Sequence, residues 1–377
     1  MADLPAVSFA PTEEQELIRS TARQYLEDRV ALGRVREIMM SDQGFDRVLW
    51  KELADMGWPG LAISEGLGGS GLSPVEMSVL LEEMGRLVTP GPFFASAVLA
   101  TTAIQELATP EQQGDLLPRM ATGDTLGALA IFESARNWDA TAPQTMASRE
   151  GDSWVLRGLK RSVIGGAEAD FLLVSAVTNQ GMAVFVVGSD ASGLTVETEP
   201  ALDPTRPQAR ITLDSVGVDG SARLGTGDSA DGLRRVISLG TAYLAAEQVG
   251  GAERCMEMSV DYAKTRHQFG RPIGSYQSIK HRCANMLMKV EHAKSAARYA
   301  ARVADHPDEL AVAAPLAGAV ASEAYVWVAG ENIQVHGGIG FTWEHDAHIY
   351  LKRAKASSLL LGDARHQRDL LGRAIGI

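Results

Sequence analysis

The feature that most constrains the fold of this chain is a change of hydrophobic period in its middle. Up to about Pro118, apolar residues recur at helical spacing between glycine and proline breaks, and from about Asp228 long helical patterns return. After Gly123 short β-type runs alternate with turns, at 154–156, 171–174, 183–187 and 210–213, with Asn, Asp, Gly and Pro between them. Side chains that alternate at every second residue cannot serve an element whose faces repeat every ~3.6 residues. The chain therefore reads as three successive domains: helical over 1–122, an antiparallel β-domain over 123–227, and helical again over 228–377. A length of 377 residues exceeds one ordinary core and suits that division. The expected class is α+β, mostly α.

Local signals add detail. Thr12 and Gln15 have the spacing of a capping box, so a helix is predicted to begin there, with Leu17, Ile18, Tyr25 and Leu26 on its apolar side. Glu253, Glu257 and Asp261 recur at every fourth position and predict one solvated helix face. Ile279, Cys283, Met286, Val290, Ala293 and Ala297 form a stripe that predicts helix–helix packing.

The formal net charge of −12 argues against nucleic-acid binding, which needs a basic face to displace counterions from phosphates. It still admits an anionic ligand wherever arginines cluster locally. Cys255 and Cys283 have no partner spacing for zinc or for a disulfide framework, which points to a reducing, cytoplasmic setting. Residues 1–20 carry Asp3, Glu13, Glu14 and Glu16 and suit neither a signal nor a transit peptide. The most apolar run, 310–321, is dominated by alanine, is interrupted by Pro315, and reads as too short for a membrane span.

A candidate binding constellation lies in the last region. Arg266-His267-Gln268-Phe269-Gly270-Arg271-Pro272-Ile273 is followed by Gln277 and later by Gln334-Val335-His336-Gly337-Gly338-Ile339-Gly340. Arg266 offers a planar cation that can grip a pyrophosphate in bidentate fashion. Phe269 supplies a flat apolar face, Gly337 and Gly338 let backbone approach a ligand with no Cβ in the way, and Gln277 and Gln334 supply donors and acceptors. The plain alternative is a helix end, with Gly270 as the stop residue and Pro272 as the block to continuation.

Together the two motifs resemble the R-x-x-F-G-x-P-I, Q-x-x-K and Q-x-x-G-G-x-G segments of the C-terminal domain of acyl-CoA dehydrogenases. Gly57-Trp58-Pro59-Gly60-Leu61, Glu65-Gly66-Leu67-Gly68-Gly69-Ser70-Gly71 and Glu82-Glu83-Met84-Gly85 resemble that family's N-terminal segments, so the likeness covers almost the whole chain. The resemblance implies a tetrameric flavoprotein that dehydrogenates an acyl-CoA thioester between its α and β carbons. It implies FAD as cofactor, an electron-transfer flavoprotein or other acceptor as partner, and a four-helix bundle in the C-terminal domain. Arg266, Phe269 and Gln277 would then hold the middle of an FAD lying on a neighbouring subunit, while Gln334, Gly337 and Gly338 face its adenosine end.

The same resemblance brings out departures at the flavin-ring end. Where the family has Thr-Glu-Pro leading to Gly-Ser-Asp, this chain has Ile131-Phe132-Glu133-Ser134-Ala135-Arg136-Asn137-Trp138-Asp139, with Phe132 for the threonine and Trp138 for the serine. Where the family has Trp-Ile-Thr, Ser162 and Ile164 supply neither the stacking ring nor the second hydroxyl. The reaction needs a carboxylate to remove the α-proton as a hydride leaves Cβ. The family's usual position for it is Leu361, before Gly362, and the rarer one reads Gly240-Thr241.

Two replacement bases can be named. Glu247 lies about two helical turns beyond Gly240 among small apolar residues that would raise a carboxyl pKa, and its plain reading is a buried carboxylate paired with an arginine. Asp363 adjoins the usual position and reads equally as the N-cap of a following helix. His336 and His366 read as surface or interface residues.

An intact arm beside a degraded ring pocket resembles the partner subunit of heteromeric acyl-CoA dehydrogenases, such as those acting on bulky steroid or side-chain CoA thioesters in actinobacteria. A companion chain would bring the ring pocket and the base. Two alternatives stay open: a self-sufficient homotetramer using Glu247, and a non-catalytic acyl-CoA-binding or assembly subunit. No metal is expected.

Overall fold

A computed structural model describes residues 10–41, 44–134 and 137–377. Asp3, Ala135 and Arg136 of the readings above lie outside the described residues. In chain order the helices are α1 (Glu13–Arg29), α2 (Leu32–Met40), α3 (Arg47–Asp55), α4 (Pro74–Arg86), α5 (Thr101–Leu107), α6 (Pro110–Ala121), α7 (Ala230–Thr265), α8 (Gln277–Arg302), α9 (Pro307–His336), α10 (Ala347–Leu360) and α11 (Ala364–Ile375). The strands are β1 (Gly127–Ala130), β2 (Met146–Glu150), β3 (Ser153–Ile164), β4 (Phe171–Thr178), β5 (Gly181–Gly188), β6 (Leu194–Glu199), β7 (Gln208–Asp219), β8 (His267–Gln268) and β9 (Arg271–Pro272). Two compact units result, one of Met1–Val35, Ser73–Thr89 and Thr241–Ile377, the other of Arg36–Leu72 and Pro90–Gly240.

The first unit is helical. α1 opens at the predicted capping box, the Thr12 hydroxyl accepting from Gln15 N at 3.2 Å and Gln15 Oε1 accepting from Thr12 N at 3.1 Å. α4 crosses α7 backbone to backbone: a Cβ built on Gly85 would lie 1.9 Å from the Glu247 carbonyl oxygen, and one on Gly250 would lie 1.8 Å from that of Glu82. Only glycine permits so close a crossing. It brings Arg86 of α4 against α7, where the guanidinium reaches Glu253 at 3.1 Å and Glu257 at 2.7 Å. The predicted solvated face is thereby corrected, since of its three carboxylates only Asp261 is exposed. Four-residue spacing reports a shared face but not what covers it, and here the covering cation comes from a helix remote in sequence.

The buried carboxylates of Glu82 and Glu83 are met in the same way from α1, by Arg19 at 2.8 and 3.1 Å and by Arg23 at 2.9 Å. Buried ions of this kind cost several kcal/mol each unless paired. On α8 the predicted stripe is buried at Met286, Val290, Ala293 and Ala297, while Ile279 and Cys283 near the helix start are half-buried.

The run around 310–321 is part of a longer helix than its proline suggests, because α9 continues through Pro315 to His336. By length and composition the stretch Pro307–Phe341 is apolar enough to cross a membrane, and 61% of its most apolar window is buried inside this fold. Pro315 withholds one backbone donor, and the small faces of Ala313, Ala314, Ala317 and Ala321, all buried, pack the helix despite that loss.

The second unit is built on a seven-stranded sheet of order β1-β4-β2-β3-β7-β6, with β5 paired to β4. Most pairs are antiparallel, and β1 enters parallel to β4. Its core includes Trp154, Leu156, Leu172, Val174, Phe185, Ile211 and Leu213, each apolar side chain contributing about 1.5–3 kcal/mol by leaving water. Trp154 meets Phe185 edge-on at 5.4 Å.

One cation lies inside this sheet. Lys160 is fully buried, with Nζ donating to Glu133 Oε1 at 2.7 Å and to Ser175 Oγ at 3.0 Å. Glu133 also accepts from Gln144 N at 2.6 Å, Thr145 N at 2.8 Å and Thr145 Oγ1 at 2.6 Å. Burial outweighs the attraction of Glu133 and lowers the Lys160 pKa from 10.5 to about 8. The unfolded chain then holds a proton that the folded chain has lost between those two values, so the contribution of Lys160 to stability rises with pH across that window. Denaturant unfolding from pH 7.5 to 10 should show this rise in the wild type and not in Lys160→Met. Parallel pH profiles for the two proteins would contradict a buried, destabilised ammonium.

Candidate cofactor-arm site

α7 ends at Thr265, and Arg266 N still closes its last turn by donating to Tyr262 O at 2.8 Å. The chain then makes a hairpin of β8 and β9 whose two turn residues, Phe269 (φ 51°) and Gly270 (φ 78°), are both left-handed. Two-residue hairpin loops favour that conformation because it matches the twist of the strands. Gly270 is thus a turn residue of a hairpin rather than a simple helix stop. Tyr276 fixes the hairpin to the start of α8: its hydroxyl donates to Gln268 O at 3.0 Å and its ring carries the Arg271 guanidinium 4.1 Å from the centroid.

This scaffold presents its functional groups outward. Phe269 is 90% exposed, and the exposed Arg266 side chain has no hydrogen bond or ion pair among the described residues. Gln277 opens α8 and Gln334 lies in the last turn of α9, both exposed and equally without side-chain hydrogen bonds among the described residues. A Cβ on Gly337 or Gly338 would meet nothing within 4 Å, so the backbone there is open to close approach.

The antiparallel course of α8 and α9 brings these residues to one end of the helical unit, as the Arg282–Glu331 ion pair and the Ser259–Asn332 hydrogen bond of 2.8 Å attest. Arg266, Phe269, Gln277, Gln334, Gly337 and Gly338 therefore lie at the same end of that unit. Glu247 and Asp363 are not. Glu247 is 5% exposed and bound by Arg353 Nη1 at 2.8 Å, while Arg353 Nη2 donates to Thr89 O at 3.2 Å. Asp363 N-caps α11, accepting from His366 N at 2.8 Å. Leu361, at the position of the family's usual base, is buried.

A ring cluster adjoins the arm that sequence reasoning did not single out. The Tyr262, His336 and His345 rings stand 4.4 and 4.3 Å apart, and the Trp343 indole stacks on His348 at 4.7 Å and 18° with Lys352 Nζ 4.5 Å from its ring. Burial, with His345 adding to it, holds the His336 imidazole below its usual range, and its Nδ1 lies 2.8 Å from Asn332 O. A usable signal was present in Trp343-Glu344-His345, an aromatic run directly behind the paired glycines, with His348 and Lys352 one turn apart beyond it.

In the sheet unit, the ring-side positions offer little to a flavin. Ile164 is buried and apolar, and Ser162 is exposed at a left-handed φ of 52° with no aromatic ring to stack. Phe132 contributes its backbone carbonyl, which accepts from Arg161 N at 2.8 Å. Arg161 pairs with Glu199 at 2.7 Å, and Glu199 also accepts from Ser162 N at 3.3 Å.

The chain matches three domains of one family in order: the N-terminal domain of acyl-CoA dehydrogenase over residues 12–124, the middle domain over 128–216 and the C-terminal domain over 234–376. It belongs to the acyl-CoA dehydrogenase family. Acyl-CoA dehydrogenase IpdE2 of Mycobacterium tuberculosis is 33% identical over 358 residues, spanning 95% of this chain and 96% of that protein. The crystal structure of the ChsE4-ChsE5 complex of Mycobacterium tuberculosis contains a chain that superposes with a TM-score of 0.91 at 30% identity, over 98% of this chain and 99% of that one. The Tcur3481-Tcur3483 steroid ACAD gives a TM-score of 0.88 at 33% identity over 97% and 98%. Acyl-CoA dehydrogenases are FAD-dependent oxidoreductases, and the residues of the arm suit the adenosine diphosphate half of that cofactor. Those on the ring side do not suit the other half.

Proposed function

We propose that this chain is one subunit of a hetero-oligomeric, cytoplasmic, FAD-dependent acyl-CoA dehydrogenase, to which it supplies the pyrophosphate and adenosine contacts and not the catalytic base. The observation that carries this reading is the contrast within one molecule. Arg266, Gln277 and Gln334 are exposed beside two open glycines with no side-chain hydrogen bond or ion pair among the described residues, whereas both of the family's base positions, Leu361 and Gly240, lack a carboxylate. Resemblance to the ChsE4-ChsE5 complex and to a steroid ACAD favours a two-chain assembly and a bulky acyl-CoA substrate. The division into 1–122, 123–227 and 228–377 belongs to the same proposal.

When bound, FAD accepts the hydride that leaves the acyl chain. This chain's own part is binding. The Arg266 guanidinium neutralises phosphate charge through charge-assisted hydrogen bonds, Phe269 covers the cofactor's middle, and Gln277 and Gln334 fix its orientation. The backbone at Gly337 and Gly338 admits the adenosine.

A charge-assisted hydrogen bond is worth about 1.5–3 kcal/mol, so Arg266→Ala should weaken FAD retention by the co-expressed complex roughly 10- to 100-fold. Arg266→Lys should recover part of that loss, since it keeps the charge but not the fork. Fluorescence of flavin released on dilution measures both. Retention unchanged in Arg266→Ala would remove the reading's main support.

A further inference from the structure

The hairpin of β8 and β9 is too short to hold itself. Each strand has two residues, and an isolated two-stranded ribbon is marginal in water even with a favourable turn. Its turn also places Phe269, a residue with a Cβ, in the left-handed region at φ 51°, which disfavours the turn relative to one built of glycine. Yet this hairpin presents Phe269 and follows directly on Arg266.

The contacts that hold it fall into two groups. At the base, Ile273 N donates to Arg266 O at 2.8 Å and Ser275 Oγ donates to Pro272 O at 2.7 Å. Gly274 packs on the end of α7, where a Cβ would lie 2.9 Å from Ala263 O. Nearer the tip the holding residue is Tyr276, which precedes Gln277 as the N-cap of α8. Gln268 and Arg271 are the paired residues on either side of the two-residue turn. Tyr276 holds both, its hydroxyl donating to Gln268 O at 3.0 Å and its ring centroid lying 4.1 Å from the Arg271 guanidinium. One side chain thereby fixes both flanks of the turn.

The same contact separates two arginines that the sequence leaves equivalent. Arg266 and Arg271 are both exposed, and neither has an ion pair among the described residues. Arg271 rests its planar guanidinium on the Tyr276 ring, a contact favoured by cation–π attraction and by stacking. Arg266 has no such ring among the described residues.

Resting on the proposed arm, we infer that Tyr276 is a positioning residue for the cofactor: it sets the hairpin that presents Phe269, with Arg271 part of that scaffold and Arg266 the arginine that meets phosphate. The gain is preorganisation. A hairpin fixed before its ligand arrives loses less conformational freedom on binding.

Hydrogen exchange of residues 267–276 in the isolated chain reads the clamp without any cofactor. Tyr276→Ala should speed exchange there about tenfold, and Tyr276→Phe, which keeps the ring and loses the hydroxyl, about threefold. Unchanged exchange in Tyr276→Ala overturns the clamp. Flavin release from the co-expressed complex on dilution reads its consequence, and should be about tenfold faster in Tyr276→Ala and about threefold faster in Tyr276→Phe. Arg271→Ala should speed release about threefold in the wild-type background and leave it unchanged in Tyr276→Ala, because the two side chains act through one contact. An undiminished effect of Arg271→Ala in the Tyr276→Ala background would place Arg271 on the cofactor itself and overturn its role as scaffold. Should Tyr276→Ala fail to fold, Tyr276→Phe decides by the same two measurements.

Arg266→Ala separates the clamp from the arm. If that substitution speeds flavin release and Tyr276→Ala does not, the arm stands and the positioning role is wrong. If only Tyr276→Ala speeds it, the clamp stands and the assignment of Arg266 to phosphate is wrong. If neither does, both are overturned.

Discussion

Arg353→Met should destabilise the helical unit by about 3–5 kcal/mol, and the double variant Glu247→Leu/Arg353→Met should recover most of that loss. The reason is the burial of the pair. Both side chains are almost wholly inside, with the Glu247 carboxylate bound to Arg353 at 2.8 Å and the second guanidinium nitrogen occupied by Thr89 O. Removing the arginine takes away the cation bound to a buried carboxylate, whereas replacing both ions by apolar groups of similar volume removes the charge altogether. Glu247 is also held from the backbone side, because its carbonyl sits against Gly85 where α4 crosses α7. Urea denaturation of the single and double variants measures the stability cycle. Near-additive losses in the double variant would contradict a structural ion pair.

Much of the fold was legible in the sequence because it rests on local period and punctuation. The capping box at Thr12, the strands around 154–156, 171–174, 183–187 and 210–213, and the α8 stripe through Met286 and Val290 all follow from spacing alone. Facts that depend on a partner distant in sequence were not legible. The Glu253 and Glu257 face is solvated by every local criterion, yet Arg86 of α4 covers it. Pro315 reads as a break until the alanine faces packed around it are seen.

The site divides along the same line. The outward set of Arg266, Gln277, Gln334, Gly337 and Gly338 was readable because its chemistry lies in residue type and its neighbours lie on successive helices. Trp343 was passed over because an aromatic residue in a turn does not say which rings or cations it will meet. For Glu247 the sequence offered a base and an arginine-paired carboxylate as alternatives. Only the geometry supplies the name of that arginine, Arg353, which lies on another helix far along the chain.

The second large effect concerns the flavin itself. A chain that lacks three hydroxyls and a stacking indole on the ring side forgoes four contacts of about 1 kcal/mol each, roughly a thousandfold in affinity. Its own arm, facing outward, cannot make up that loss without a second subunit. The decisive measurement is flavin absorbance per chain, taken on this chain purified alone and on the same chain co-purified with a companion acyl-CoA dehydrogenase that carries the threonine, serine and tryptophan on its ring side. The expected result is little FAD on the chain alone and close to one FAD per companion chain in the mixed oligomer. A yellow homo-oligomer with one FAD per chain that dehydrogenates acyl-CoA without any companion would contradict it.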